Sequence, residues 1–147
     1  MKKIIIPLVL LTIFSCNIPK KEVIDSYENG MIEAIGYYIV DHGEKIYVKK
    51  VYYYSNGLRK EVQHFDKNGN KDGKWVSWFP NGSKHWLIHY KNGVKDGKYI
   101  VWYKNGNKQL EGYYANGLAD GKWIIYDQDG KKLQVLYYKA GKILNNP

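Results

Sequence analysis

Short runs of alternating apolar and polar residues recur along the second half of the chain, and turn residues separate them. In one unit, the aromatic run 75–79 is followed by Asn81-Gly82 and then by the apolar run 86–90. Asn-Gly between aromatic or β-branched runs is the strongest short-range signal for a β-hairpin, because the turn needs positive φ and glycine adopts it freely. Pro80 also favours a turn, since its ring fixes φ. The pattern therefore predicts a hairpin.

This hairpin repeats with a step of 24 residues. The sequence Asp-Gly-Lys followed by an aromatic residue begins at Asp72, Asp96 and Asp120. We interpret these aspartates as residues that organise turns, because Asp side chains readily accept hydrogen bonds from turn N–H groups. Further columns keep the same step: Gly82, Gly106 and Gly130; Gly93, Gly117 and Gly141; Trp78, Trp102 and Tyr126. A fixed period of this length is typical of a repeat array.

Upstream of residue 72 the repeat is less regular. Gly69 lies 24 residues before Gly93, but Gly57 lies 25 residues before Gly82. One extra residue must therefore lie in this hairpin, and a β-bulge would accommodate it. Residues 29–49 are predicted to form either a degenerate unit or an N-terminal cap.

Together these units predict an all-β fold, an elongated antiparallel sheet of stacked hairpins over residues 50–142 with a C-terminal tail at 143–147. A single hairpin is marginally stable in water, whereas stacked hairpins stabilise one another through each interface. Strand alternation places Trp75, Ser77 and Phe79 on one side of the sheet and Val76 and Trp78 on the other. Both sides therefore carry large apolar groups.

The run Asp-Gly-Lys-Trp from Asp72, with the later Asn-Gly pairs and Tyr90, resembles the bacterial variant of the MORN repeat. The resemblance covers about residues 50–142 and is best over 72–142. The sequence is also similar to the YwqK-type family, which is often described as antitoxin-like. The resemblance implies a fold of stacked hairpins and a role in binding or scaffolding.

The N-terminal residues predict export. Lys2 and Lys3 precede the apolar run 4–14, which is too short to span a bilayer but has the length of a signal-peptide core. The run ends at Ser15-Cys16, and Cys16 is the only cysteine. This ending resembles the lipobox of bacterial lipoproteins. It implies a signal peptide at 1–15, a lipid on Cys16, a tether at 16–28 and a location on a membrane of the cell envelope. The alternative is cleavage elsewhere, which leaves a free thiol.

Composition excludes several classes of protein. A single cysteine excludes a disulfide framework and a cysteine-based zinc site. The sequence contains no Gly-x-Ser-x-Gly elbow, phosphate loop or dinucleotide fingerprint. We therefore predict a protein that is not an enzyme and that binds no cofactor and no metal. The formal net charge of +9 favours an anionic partner.

Two repeated columns are the candidate binding residues. Aromatic columns usually pack inside a sheet, and lysine columns usually protect strand edges, so the structural role is the alternative for both. If one aromatic column is exposed, it suits a protein partner, because Tyr and Trp are common at interfaces. A lysine column suits an acidic protein, an anionic lipid or an anionic glycan. The candidates are Trp78, Trp102, Tyr126, Lys74, Lys98 and Lys122.

The function predicted from these features is that of a membrane-anchored lipoprotein whose repeats form a non-catalytic protein-binding or scaffolding module. The alternative is an antitoxin or immunity protein that neutralises a toxin by direct binding. A nucleic-acid partner is not expected, because the predicted protein is exported.

Overall fold

The computed structural model describes residues 18–144, which form one antiparallel sheet of eleven strands. Each strand pairs with its neighbours in sequence, so the chain runs as a continuous meander. This confirms the predicted all-β sheet of stacked hairpins. The strands are β1 (Lys20–Ser26), β2 (Ile32–Asp41), β3 (Glu44–Tyr53), β4 (Arg59–His64), β5 (Gly73–Trp78), β6 (Lys84–Lys91), β7 (Val94–Trp102), β8 (Lys108–Ala115), β9 (Leu118–Tyr126), β10 (Lys132–Lys139) and β11 (Lys142–Ile143).

The turns are of two kinds, and Asn-Gly occurs in both. In the wide turns, such as 79–83, the Gly82 N–H donates to the carbonyl of Phe79, and only the glycine has positive φ. In the tight turns, such as 92–93, Asn92 (φ 50) and Gly93 (φ 83) both have positive φ. The tight turns therefore have the backbone that two-residue hairpins prefer. Wide turns lie at one end of the strands and tight turns at the other, except that the turn 66–70, at the tight-turn end, is also wide.

The extra residue of the irregular unit lies in a turn. Residues 66–70 form a wide turn where the later units have a tight one, with the Gly69 N–H donating to the carbonyl of Asp66. Strands β4 and β5 pair without a register shift. The predicted bulge is therefore wrong in its position, because the longer turn absorbs the added residue.

The sheet extends on both sides of the predicted repeat array. Residues 20–26 of the predicted tether form β1, which pairs with β2. Residues 29–49 lie mostly in the hairpin of β2 and β3, inside the sheet. In the predicted tail, Ile143 pairs with Tyr138. The predicted signal peptide at 1–15, Cys16 and residues 145–147 lie outside the described residues.

The sheet has two faces, which we name by the residues of β5. Face A carries Trp75 and Ser77, and face B carries Val76 and Trp78, because successive side chains point to opposite sides and paired residues share a side. Buried residues occur on both faces, so neither is simply a solvated surface. The buried apolar side chains are Ala34, Ile39, Val51, Trp75, Val76, Leu87, Ile88, Trp123 and Ile124.

Face A is packed by aromatic rings. The ring of Trp123 lies 5.1 Å from that of Tyr114 and 5.7 Å from that of Tyr138, in edge-to-face arrangements. It also lies over the backbone of Gly112, where a Cβ atom would be 2.2 Å from the indole. Only glycine leaves room for the ring here. Such aromatic pairs contribute about 0.5–1.5 kcal/mol each beyond their buried area.

Lysine side chains cover some of these rings. The ammonium of Lys71 lies 4.5 Å from the ring of Trp75, and that of Lys95 lies 4.9 Å from the ring of Tyr114. These distances are within the range of cation–π attraction. Face A is therefore closed by its own side chains.

Side chains also join each unit to the next. In the wide turns, the amide of Asn56 donates to the carbonyl of Pro80 (2.9 Å), and that of Asn105 donates to Gln128 (2.7 Å). Asn81 makes the equivalent bond to Lys104. These bonds satisfy turn carbonyls and fix the spacing of the turns.

The repeated aspartates act at the opposite edge. The carboxylate of Asp72 accepts a hydrogen bond from the N–H of Asn92, and that of Asp96 accepts one from Asn116. Asp120 makes the same bond to Ala140. The aspartates do organise turns, as predicted, but each supports the tight turn 20 residues further on.

Candidate functional site

All six candidate binding residues lie on face B. Each pair is four positions apart on one strand: Lys74 and Trp78 on β5, and Lys98 and Trp102 on β7. Lys122 and Tyr126 occupy the equivalent positions on β9. An apolar residue lies midway in each pair. The structure therefore brings both predicted columns together on one surface, with an aliphatic strip between them.

An aromatic row runs along the wide-turn side of this face. Each aromatic residue is paired across its hairpin with a basic residue, because the wide turns place them opposite each other. The ammonium of Lys84 also lies 5.6 Å from the ring of Trp102, on the next strand. The pairs of the aromatic row are Tyr53–Arg59, Trp78–Lys84, Trp102–Lys108 and Tyr126–Lys132.

A lysine row runs along the tight-turn side. Here each lysine is paired with a histidine in the first half of the array and with a tyrosine in the second half. The Nδ1 atom of His64 lies 2.6 Å from the carbonyl oxygen of Lys74, which accepts a hydrogen bond when Nδ1 carries the proton. The pairs are Lys49–His64, Lys74–His89, Lys98–Tyr113 and Lys122–Tyr137.

An aliphatic row lies between these two rows. Val51, Val76, Leu87 and Ile124 are buried, Val135 is exposed, and the other members are half-buried. They form the floor of two shallow depressions, one of about 290 Å³ across β2–β6 and one of about 260 Å³ across β7–β9. From β2 to β10 the row consists of Ile35, Val51, Val62, Val76, Leu87, Ile100, Glu111, Ile124 and Val135.

Glu111 is the one charged residue of the aliphatic row. Its carboxylate accepts hydrogen bonds from the Lys108 ammonium (2.6 Å) and the Tyr126 hydroxyl (2.5 Å). The bond from Lys108, followed by that from Tyr126, holds the pKa of Glu111 below its usual value. The bond to Glu111 also raises the pKa of Tyr126 to about 12, because ionising the phenol would place two anions together.

The three rows concentrate positive charge. They contain eight lysine or arginine residues and one acidic residue, Glu111. The carboxylates of Asp72, Asp96 and Asp120 lie at the strand ends, where they bond to tight-turn N–H groups. Face B therefore offers an apolar floor between two cationic borders, an arrangement that can hold an anionic, partly apolar ligand.

The part of the chain that the structure describes contains neither a cluster of metal ligands nor a membrane-spanning helix. Within residues 18–144, no three His, Cys, Asp or Glu side chains come close enough together to hold a metal ion. No helix in these residues has the length and hydropathy needed to cross a membrane.

Both lysine columns of the cationic borders are visible in the sequence, but only Lys74, Lys98 and Lys122 were chosen as candidate binding residues. Lys84, Lys108 and Lys132 repeat at 24 residues, and this column is visible in the sequence. Their pairing with the aromatic column was not predicted, because it depends on the length of the wide turn. Glu111 was also missed, although it is the exception in a column that otherwise holds Leu87 and Val135.

Comparison with known proteins agrees with the repeat boundaries. The family model described as the MORN repeat variant matches residues 71–92, 95–116 and 119–144. The first two matches each cover one strand–turn–strand unit, β5–β6 and β7–β8, and the third covers β9, β10 and β11. A comparison with curated proteins found no match.

Proposed function

We propose that this chain, which carries repeats of the MORN variant type, is a lipid-anchored envelope protein that binds an acidic partner protein through face B and catalyses no reaction. MORN repeats are in general modules that bind proteins or membranes. The envelope location, the lipid anchor and the protein partner go beyond that general role.

The observation that carries the proposal is the composition of face B. Lysines or arginine border the aliphatic row on both sides, and half-buried aromatic residues such as Trp78 and Trp102 lie beside them. Aromatic and basic residues around an apolar centre are typical of protein-binding surfaces. Face A differs, because its rings pack against one another and against the backbone.

The sequence around Cys16 supports the anchor. A basic start, an apolar run and a cysteine in lipobox-like context precede the folded region. Strand β1 begins at Lys20, only four residues after Cys16. Four extended residues reach at most about 14 Å, so a lipid on Cys16 would hold the β1 edge of the sheet close to the bilayer. Two or more acyl chains make such an anchor stable.

Metabolic labelling tests the anchor directly. Cells producing the chain are grown with a labelled fatty acid, and the wild type is compared with Cys16→Ala. We expect label and membrane fractionation in the wild type and neither in the variant. Unlabelled wild-type protein would contradict the lipid anchor.

Site-specific photo-crosslinking tests the surface. A photoreactive amino acid replaces Tyr137 on face B or, as the matched control on the same strand, Gln134 on face A; both positions are exposed. We expect one protein to be cross-linked in envelope preparations from Tyr137 and not from Gln134. Equal yields, or none from either, would contradict face B as the contact surface. The identity of the cross-linked protein also tests the antitoxin alternative, which requires a toxin that the chain inhibits.

A further inference from the structure

We propose that the ligand of face B is a single acidic polypeptide segment that crosses the strands, and that Glu111 fixes its position by requiring a basic or hydrogen-bond-donating residue over β8. This inference rests on the proposed function, because it describes the partner of the same surface.

The dimensions of the rows match one polypeptide segment. Residues two positions apart on a strand are about 6.6 Å apart, so the lysine row and the aromatic row, four positions apart, are separated by about 13 Å. A segment lying along the aliphatic row would therefore have cations on both of its sides. Along the row, equivalent lysines recur once per hairpin, at about 10 Å. Carboxylates on both sides of the segment would meet a cation at each hairpin.

The aliphatic floor favours a polypeptide over other polyanions. The half-buried members of the aliphatic row, Ile35, Val62 and Ile100, leave apolar surface open between the cations. Polysaccharides and nucleic acids carry charge but no aliphatic side chains that could cover this surface. A bilayer surface is flat, whereas the floor lies in two depressions. A segment that combines aliphatic side chains with carboxylates satisfies both features.

Glu111 makes the row asymmetric. Six aliphatic residues, from Ile35 on β2 to Ile100 on β7, form an uninterrupted strip on one side of it. Ile124 and Val135 continue the strip on the other side. Because Lys108 and Tyr126 keep the carboxylate ionised, an acidic residue of the ligand placed over β8 would be repelled. A lysine, arginine or amide at that point would be attracted, and this gives the segment one register.

A random peptide library provides the test, because the selection itself reveals which side chains the surface prefers. The full chain, kept in detergent, is immobilised and used to select binders from the displayed library. The same selection is made with Glu111→Gln, which keeps the shape of the side chain and removes its charge. The matched control is Glu61→Gln on face A, where Glu61 accepts a hydrogen bond from Gln63.

We expect the wild type to select peptides rich in acidic and aliphatic residues, with one basic or amide position. Replacing that position by glutamate should weaken binding by about tenfold or more, since like charges would then be juxtaposed. Glu111→Gln should lose the preference at that position, and Glu61→Gln should keep it. If Glu111→Gln selected the same peptides as the wild type and Glu61→Gln, the role of Glu111 would be overturned.

The partner class is tested with two further probes, polygalacturonate and vesicles containing anionic lipid. Selection of neutral or basic peptides, or binding only to one of these probes, would overturn the acidic polypeptide. Either result would still leave face B as a binding surface, which the cross-linking experiment tests separately.

Discussion

The two faces of the sheet use the same aromatic residues in different surroundings. On face A, Trp123 is 7% exposed and lies among tyrosine rings over Gly112. On face B, Trp102 is half-buried and lies beside Lys84 and Lys108. Both tryptophans belong to repeated columns, so repetition alone does not separate a stabilising residue from a binding residue. The residues paired with each tryptophan across its hairpin distinguish the two roles.

This difference predicts a division of labour between the faces. Removing a ring from face A should mainly reduce stability, because the ring fills space that nothing else can fill. Removing a ring or a charge from face B should mainly reduce binding, because the aromatic packing of face A stays intact. Each of the following changes tests that division, beginning with the largest expected effect.

The first test compares one tryptophan from each face. Trp123→Ala should lower the free energy of unfolding by about 3–5 kcal/mol, as expected for a buried aromatic residue. Trp102→Ala should cost only about 1–2 kcal/mol, because less of its surface is buried. Urea unfolding followed by circular dichroism measures both. Equal losses would mean that face B is as much a core as face A.

The second test concerns the space beneath Trp123. Gly112→Ala should lower the free energy of unfolding by about 1–3 kcal/mol, because the added Cβ would overlap the indole. In a Trp123→Leu background, the same change should cost much less, since the smaller side chain can move. Urea unfolding of the two single variants and the double variant measures the coupling. Additive losses would show that the ring is not what requires glycine.

The third test uses the tight turns, which belong to neither face. Ala140 has a φ of 48°, where the equivalent residues of earlier units are Asn92 and Asn116. An ordinary side chain in this region costs about 1–2 kcal/mol, and asparagine tolerates it better. Ala140→Asn should therefore raise the free energy of unfolding by up to about 1 kcal/mol, and Asn116→Ala should lower it similarly. Binding to face B should not change in either variant.

The fourth test is the pH dependence of Glu111. Since its pKa is lowered in the folded state, its contribution to stability is present above the ordinary value of 4.5 and is lost as the pH falls through the folded-state pKa. Glu111→Gln should thus be less stable than the wild type near neutral pH by only about 0.2–1 kcal/mol, because the group is partly exposed. The difference should shrink in acid. Urea midpoints across this range measure it.

The hydrogen bond between Glu111 and Tyr126 gives an independent spectroscopic signal. Glu111 raises the pKa of Tyr126 to about 12, so this tyrosine should ionise late in an alkaline absorbance titration. In Glu111→Gln, the pKa of Tyr126 should return towards the ordinary value of 10.0. An unchanged titration would mean that the hydrogen bond does not persist in solution.

Much of the fold was predictable because the same hairpin signal recurs in each repeat. The Asn-Gly pairs and the step of 24 residues predicted the hairpins, and the strands follow. The turn types were not predictable from the dipeptide. Asn81-Gly82 and Asn92-Gly93 read alike, but only Asn92 has positive φ. Strand β1 was missed because its mixed-charge sequence has no apolar alternation, and pairing with β2 holds it in the sheet.

The candidate site was predicted in part for a similar reason. Lys74 and Trp78 are four residues apart, so strand alternation places them on one face wherever that strand lies. Lys84 comes from the next strand, and its position opposite Trp78 depends on the wide turn between them. Glu111 could be seen as an exception to its column, but its meaning depends on its neighbours Ile100 and Ile124.

The asparagine bonds between wide turns have a consequence for how such a chain can change length. Each bond reaches only the following unit, as Asn81 reaches Lys104, and the strands pair only with their sequence neighbours. Excising one unit, for example residues 96–119, would let the remaining turns meet with equivalent partners. Duplication or loss of a gene segment of this size would thus lengthen or shorten the sheet by one hairpin, or about 10 Å, without changing the contacts between the remaining units.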